Sequence, residues 1–290
     1  MLAAACGDSE DDEDSSPSTE EQDGSGGDDP VEAESTANCS RDAMELVNDG
    51  VLTVGTDTPA FPPWFQDDEP SNGEGFESAV AYAVAEEMGF PAEEVTWAQV
   101  PFNSAIAPGE KPFDFDINQV SISEEREEVV DFSEPYYETN QALVGFDDSP
   151  AASATTVEDL QSLRLGAQVG TTSLDFITDV IDPDSEPLVY NDNSSAKAAL
   201  DADQVDAVLF DLPTAFYVSS VEMEGTAVIG QFPADAGGES DAFGLVFGEG
   251  NPLRDCANEA LATLRDSGRL AEIEQEWLSD VVDAPVIPVG

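Results

Sequence analysis

The side chains available for chemistry set the first limit on what this protein can do. Its 290 residues include 64 Asp and Glu but no His. Without His there is no Ser-His or Cys-His nucleophile pair, no HExxH zinc helix and no ordinary proton shuttle near pH 7. Carboxylate pairs remain available, but no Asp/Glu pair stands out among so many acids. The residue types therefore argue against most hydrolases, and we expect no cofactor and no metal.

Charge excludes a second class of partner. Only 8 residues are Lys or Arg, which gives a formal net charge of -56 at pH 7. Such a surface repels nucleic acid, so we exclude nucleic-acid binding. The acidity is typical of a solvated coat that keeps a protein soluble and names no ligand by itself. A hydrophobic content of 40% is enough for a sizeable core.

Three cysteines are too few for a disulfide framework and are wrongly spaced for a zinc site. Cys6 follows Leu2-Ala3-Ala4-Ala5 and precedes Gly7, which looks like the end of a bacterial lipoprotein signal rather than a chance alanine run. We therefore expect residues 1–6 to be a signal remnant and Cys6 to carry a lipid. Residues 7–38 are nearly all Asp, Glu, Ser, Gly, Thr and Pro, which predicts a disordered acidic tether. No stretch elsewhere approaches a membrane span.

Elements that would position the remaining side chains follow the tether in two series of alternating strands and helices, which is typical of an α/β fold. The first series predicts strands at 51–55, 95–100 and 115–120 with a helix over 76–88. The second predicts strands at 163–169, 188–190 and 205–210 with helices over 172–181, 194–200 and 213–221. From residue 243 the pattern predicts a strand and two helices, 252–266 and 269–279, that return to the first series.

Six ordered blocks between residues 45 and 280 resemble the bacterial extracellular solute-binding protein family 3, the amino-acid-binding subunits of ABC importers. The blocks are VLTVGTD with FPPW (51–57, 61–64), GFESAVAYAVAEEMG (75–89), FDFDINQVSISEEREEVVDFSEPYY (113–137), RLGAQVGTTS (164–173), VDAVLFD (205–211) and FGLVFGEGNPLRDCANEALATLRDSGRLAEIEQEWL (243–278). The resemblance implies a type II periplasmic-binding-protein-like fold, in which two lobes are joined by two hinge-crossing strands. We expect residues 39–140 and 243–290 to form the first lobe and residues 141–242 the second.

A free amino acid presents a carboxylate, an ammonium and a side chain, so its cleft needs a fork-shaped cation, an anion and a selective wall. By resemblance, Arg126 holds the ligand carboxylate and Ser121 adds a donor, although Arg126 can instead pair with a surface acid. Thr171 and Thr172 begin a helix whose free N–H groups form a second carboxylate clamp, or simply cap that helix. Asp211 accepts the ligand ammonium by resemblance, unless it is one more surface acid.

The side-chain end of the cleft is less constrained. Phe61 and Phe102 match positions where aromatic rings sandwich the ligand, with core packing as the alternative. Asp57 and Gln168 face each other across the cleft in this reading, which favours a basic or amide amino acid over Glu or Asp. Where the family commonly has small residues, this chain has Asn118-Gln119, so specificity is not carried over from relatives.

The predicted topology places Cys39 and Cys256 on the same lobe, and we expect them to be bridged. The mechanism implied is hinge closure around a small-molecule ligand, followed by recognition of the closed form by a membrane permease. We expect an extracytoplasmic monomer, attached to the outer face of the cell membrane through Cys6. Two alternatives stay open: a ligand-sensing module for a receptor, and a dehydratase or lyase on the same fold, against which the lack of His argues.

Overall fold

The computed structural model describes residues 38–234, 236, 241–278 and 284–289. The predicted signal remnant, the lipidated Cys6 and nearly all of the acidic tether lie outside these residues. No helix in the described part of the chain is both long enough and apolar enough to cross a membrane.

Strands and helices alternate along most of the chain. The strands are β1 (Leu52–Thr56), β2 (Val95–Gln99), β3 (Phe115–Asp116), β4 (Val130–Phe132), β5 (Tyr137–Thr139), β6 (Gln141–Phe146), β7 (Leu165–Gln168), β8 (Leu188–Tyr190), β9 (Ala207–Asp211), β10 (Thr226–Gln231), β11 (Asp241–Phe243) and β12 (Val246–Gly248). The helices are α1 (Phe76–Glu87), α2 (Phe102–Ala105), α3 (Glu124–Glu127), α4 (Val157–Leu160), α5 (Thr172–Asp175), α6 (Asn193–Asp201), α7 (Leu212–Tyr217), α8 (Leu253–Asp266) and α9 (Arg269–Leu278). Two π-helical turns, Phe176–Ile181 and Val218–Glu222, extend α5 and α7.

The strands form two mixed five-stranded sheets, each the centre of one lobe. The first sheet has the order β2-β1-β3-β12-β4, and the second has the order β10-β6-β9-β7-β8. In the first, β1 is parallel to β2 and β3, whereas β12 is antiparallel to β3 and β4. In the second, β7 is parallel to β8 and β9, whereas β6 is antiparallel to β9 and β10. Parallel pairs need crossover helices, which is why helices cover these sheets.

Two short strands carry the chain between the lobes. β5 and β11 pair antiparallel, with Tyr137 opposite Phe243 and Thr139 opposite Asp241. β5 leads directly into β6 of the second sheet, and β11 leads back into β12 of the first. This is the predicted two-lobe α/β architecture with two hinge-crossing strands.

The C-terminal helices lie on the first lobe. α8 and α9 pack against α1, and Leu261 and Ile273 are fully buried in the first-lobe core. Cys256 of α8 is joined in a disulfide to Cys39, which precedes β1. The disulfide therefore joins the segment that precedes β1 to the helix α8 on the same lobe.

Residues 284–289, here called the C-terminal tail, lie on the second lobe, whereas the sequence places all of residues 243–290 on the first. The Gln231 N–H donates to the Pro285 carbonyl at 2.8 Å, and the Ile287 N–H donates to the Gln231 carbonyl at 2.8 Å. Ile287 is 1% exposed in the second-lobe core. The physical reason is that β10 is an edge strand with unpaired backbone groups, beside which a buried position for an apolar side chain is available.

The strand predicted over 115–120 is also shorter than expected. β3 spans only Phe115–Asp116, and Gln119 has a φ of +49°. A left-handed residue cannot continue a strand, so the chain turns out of the sheet before it reaches Ser121.

Candidate functional site

A cleft between the two lobes brings together every residue predicted to bind a ligand. The side chains and backbone that line it include Asp57, Phe61, Phe102, Ser121, Arg126, Gln168, Thr171, Thr172 and Asp211. These residues come from both lobes, and most lie where a strand ends or a helix begins. In α/β sheets this is where ligand sites ordinarily form.

Arg126 provides a buried guanidinium. It lies in the short helix α3, whose N-cap is Ser123, and is 9% exposed. Its Nη1 donates to the Ser121 carbonyl at 2.5 Å, and its Nη2 donates to the Gly170 carbonyl of the second lobe at 3.0 Å. Burial lowers the pKa of the guanidinium, and no described Asp or Glu forms an ion pair with it. A buried cation bound only to carbonyls is suited to receive an anion.

Hydroxyl groups of the two lobes meet beside this guanidinium. The Oγ of Ser121 lies 3.3 Å from the Oγ1 of Thr172. Thr171 is the N-cap of α5: its hydroxyl accepts from the Leu174 N–H at 3.3 Å and donates to the Gln168 carbonyl at 2.8 Å. Of the two predicted threonines, Thr171 therefore caps its own helix, while Thr172 directs its hydroxyl across the cleft.

Gln141 is a cleft residue that the sequence did not predict. It is the first residue of β6, immediately after the hinge, and it is buried. Its Nε2 donates to Asp241 Oδ2 at 2.7 Å and to Thr172 Oγ1 at 3.3 Å, and its Oε1 accepts from Ser173 Oγ at 2.6 Å. A polar residue opening the otherwise apolar run QALVGF was the available signal.

Asp211 ends β9 and is the N-cap of α7. Its carboxylate accepts from the Thr214 N–H at 3.1 Å and from the Thr214 hydroxyl at 3.0 Å. The same hydroxyl accepts from Trp64 Nε1 of the first lobe at 2.9 Å. Burial raises the pKa of Asp211 to about 6, although the hydrogen bonds from Thr214 act in the opposite direction.

The predicted aromatic walls have different surroundings. Phe102 is buried in an apolar cluster with Val120 and Phe132, and its ring centroid lies 5.7 Å from the Arg126 Cζ. Phe61 is partly exposed, and the Lys197 ammonium of the second lobe lies 4.4 Å from its ring centroid.

The two polar residues predicted at the side-chain end also line the cleft. Asp57 accepts from the Phe102 N–H at 3.0 Å and from the Thr58 N–H at 2.7 Å. Gln168 is buried at the end of β7, and its side-chain amide has no hydrogen-bond partner among the described residues. That amide is therefore free to bond a ligand.

The floor of the cleft rests on an acid of α1. Glu77 is 0% exposed and accepts hydrogen bonds from the Gln119 N–H at 2.7 Å, from the Gln119 side-chain amide and from the Tyr136 hydroxyl. Burial raises the pKa of Glu77 to about 7 despite these three bonds. Gln119 lines the cleft, so the hydrogen bonds of Glu77 hold a residue of the cleft wall although Glu77 itself does not line the cleft.

Comparison with known proteins agrees with this architecture. The family model for bacterial extracellular solute-binding proteins, family 3, matches residues 52–280. An arginine-binding periplasmic protein of Mannheimia haemolytica is 28% identical over 227 residues, which cover 76% of this chain and 88% of that protein. The structure of an ancestral arginine-binding protein bound to arginine is 30% identical, with a TM-score of 0.66, and the match covers 79% of this chain and 98% of that one. A structure of an ancestral arginine-binding protein bound to glutamine is 29% identical, with a TM-score of 0.67, covering 80% and 99%.

Proposed function

Because the chain belongs to the bacterial extracellular solute-binding proteins, family 3, we propose that it binds a free amino acid between its lobes as the substrate-binding subunit of an ABC importer. One observation carries the proposal. The buried guanidinium of Arg126, which forms no ion pair with a carboxylate of the described residues, lies in the same cleft as the partly buried carboxylate of Asp211. These are the two opposite charges that the carboxylate and ammonium of an amino acid require.

In this proposal the ligand carboxylate binds the guanidinium N–H groups of Arg126 that remain beyond its bonds to the Ser121 and Gly170 carbonyls. Ser121, Thr171 and Thr172 surround that end of the cleft with hydroxyl and N–H donors. The ligand ammonium binds Asp211, whose carboxylate oxygens keep lone pairs beyond the bonds from Thr214.

The side-chain end favours a basic or amide amino acid. Among the described residues that line the cleft, the carboxylates belong to Asp57, Asp192 and Asp211, and the only guanidinium belongs to Arg126. A second carboxylate on the ligand would therefore be repelled, whereas a guanidinium, an ammonium or an amide would find acceptors. Gln168 and the rings of Phe61 and Phe102 complete the binding surface. Relatives named for arginine, and one bound to glutamine, support the same ligand class.

Closure of the hinge is the step that traps the ligand. Hydrogen bonds already join the lobes between Arg126 and Gly170, and between Trp64 and Thr214. The ligand adds contacts to both lobes and so shifts the population towards this closed arrangement, which a membrane permease recognises. Within this proposal the second lobe comprises residues 141–242 together with the C-terminal tail, and the first comprises residues 39–140 with 243–278.

The protein acts outside the cytoplasm as a monomer, attached to the outer face of the membrane by a lipid on Cys6, and it is not an enzyme. The lack of His supports the last point. A receptor-linked sensor would use the same cleft, so identification of the membrane partner by cross-linking separates the two roles. Turnover assays on prephenate-like acids and on cell wall test the dehydratase and lyase alternative.

Thermal shifts test the ligand class directly. We expect arginine, lysine, ornithine, citrulline or glutamine to raise the melting temperature, because a ligand that binds only the folded state stabilises it. Glutamate and aspartate should not. A panel of the twenty amino acids with ornithine and citrulline in which nothing shifts the melting temperature would refute the proposal.

Substitution of the guanidinium tests the site. Arg126→Ala should raise the Kd of the best ligand by more than about 100-fold, because the variant leaves a ligand carboxylate buried without its charged partner. The matched control is Arg269→Ala, which removes an exposed guanidinium that pairs with Glu272 at the surface. Isothermal titration calorimetry that gives equal affinities for the two variants contradicts the assignment.

A further inference from the structure

Gln119 adopts a backbone conformation that a side chain disfavours. Its φ of +49° lies in the left-handed region, where residues other than glycine are strained. It follows β3 and lies on the floor of the cleft, two residues before Ser121. Something must hold Gln119 in this conformation, since its own backbone preference is for another.

Glu77 supplies three contacts suited to that task. Its carboxylate takes the Gln119 N–H at 2.7 Å and the Gln119 side-chain amide at the same time, so backbone and side chain are fixed by one acceptor group. The Tyr136 hydroxyl donates to the same carboxylate and orients it. Glu77 is 0% exposed, so water does not compete for these bonds.

The turn at Gln119 leads into the segment that carries the proposed ligand-binding residues. From this turn the chain passes Ser121, which forms an isolated β-bridge with Phe243 of β11, and reaches Arg126. Arg126 in turn donates to the Ser121 carbonyl at 2.5 Å. A change in the backbone at Gln119 therefore moves the donors at the carboxylate end of the cleft.

We propose that Glu77 is a positioning residue of the binding cleft, which holds Gln119 in its left-handed conformation and thereby sets Ser121 and Arg126 for the ligand. The proposal rests on the amino-acid-binding function and adds a residue that does not itself line the cleft. Glycine at position 119 would adopt the same conformation without help, and this provides the test.

A double-mutant cycle measures the effect. With L-arginine and L-glutamine as calorimetric probes at pH 8, above the pKa of Glu77 of about 7, Glu77→Gln should raise the Kd about tenfold, because a carboxylate oxygen that accepts from the Gln119 amides is replaced by a donor. In the Gln119→Gly background the same substitution should change the Kd less than about threefold. A tenfold loss in both backgrounds, or no loss in either, overturns the proposal. Glu86→Gln, an exposed change on the same helix, is the matched control.

A second comparison does not depend on altering Glu77. Gln119→Gly should bind the probes more tightly than Gln119→Ala, because both lose the side-chain bond to Glu77 and only Ala keeps the left-handed strain. Equal affinities would overturn the proposal even if Glu77→Gln does not fold.

A ligand-free measurement separates this inference from the proposed function. Amide hydrogen exchange followed by NMR should be faster at Gln119 in Glu77→Gln than in the wild type, with β1 amides unchanged as the internal control. Unchanged exchange at Gln119 overturns the positioning role. A wild type that binds no member of the amino-acid panel refutes the proposed function instead, and the exchange rates still decide whether Glu77 holds the turn.

Discussion

At the residue scale, Asp211 shows how position in the chain controls a charge. It is both the last residue of β9 and the N-cap of α7, so its carboxylate is partly buried yet supplied with hydrogen bonds from Thr214. Burial has the larger effect and raises the pKa of Asp211 to about 6. The group therefore changes charge within the pH range in which a binding protein can be studied.

The affinity for amino acids should fall as the pH falls from 7 to 5. The Asp211 carboxyl of the free protein is charged above a pKa of about 6 and protonated below it, and a ligand ammonium binds only the charged form. The association constant should therefore decrease by up to about tenfold per pH unit below 6. Calorimetry at several pH values checks this.

Asp211→Asn is the control for that experiment, because Asn also caps helices well. It should bind weakly, with a flatter pH profile. Glu77 titrates in a nearby range, since burial raises its pKa to about 7, so the difference between wild type and Asp211→Asn isolates Asp211. Parallel profiles for the two proteins contradict the role of Asp211.

The stability of the ligand-free protein should change with pH in the opposite direction, because Glu77 makes the free energy of unfolding fall as the pH rises. The folded-state pKa of Glu77, about 7, lies above its ordinary value of 4.5. Protonated Glu77 is therefore favoured by folding, and stability is lost as the pH rises from about 4.5 through 7. The loss should approach about 3 kcal/mol in the free energy of unfolding. Glu77→Gln should remove this part of the pH dependence in urea titrations, and an unchanged slope contradicts it.

At the element scale, the turn between β7 and α5 decides how closely the lobes approach. Gly170 has a φ of +75°, and a Cβ built on it would lie 2.3 Å from Asn103 Oδ1 of the first lobe. Its carbonyl also accepts from Arg126. A Cβ at this position would be strained by the left-handed backbone and would displace the exposed side chain of Asn103 from the contact across the cleft.

Gly170→Ala should therefore weaken ligand binding by about threefold, because in the closed form the added methyl group displaces the exposed side chain of Asn103. Gly89→Ala is a matched control: it has a φ of +86° and nothing within 4 Å of its Cβ. Both variants should lose about 1 kcal/mol of stability from left-handed strain, but only Gly170→Ala should lose affinity. Equal affinities measured by calorimetry would show that this turn does not limit closure.

The elements also show what the sequence could predict. Long periodic segments such as α1 and α8 were predicted within one or two residues, because their apolar spacing is helical over several turns. The strands β4, β6 and β10 were missed, since three to six residues carry little periodic signal. At the cleft, Arg126 was predicted because its sequence block resembles the family and because it is one of few cations. Gln141 and Glu77 were missed because their roles depend on contacts distant in sequence.

At the scale of the whole molecule, the disulfide between Cys39 and Cys256 joins parts of the chain separated by 217 residues. Both cysteines lie on the first lobe, so the link holds one lobe together without restricting the hinge. Its main effect is to limit the unfolded chain, which becomes a closed loop.

The double variant Cys39→Ser with Cys256→Ser should have a free energy of unfolding about 3 to 5 kcal/mol lower than that of the wild type. Its affinity for amino acids should stay within about twofold, because the disulfide is remote from the cleft. Urea unfolding and calorimetry check the two halves of this prediction. Alkylation that labels both thiols without reductant would show that the disulfide does not form.

The C-terminal tail gives the molecule a third link between its lobes. α9 ends at Leu278 on the first lobe, Ala284 begins the tail on the second, and only five residues join them. Six peptide units reach at most about 20 Å, which caps the separation of these two points in the open state. Fluorophores placed at the end of α9 and on the tail would therefore report hinge opening as a change in their separation. The protein would then serve as an optical amino-acid sensor, in which the length of that connection sets the largest distance between the two fluorophores.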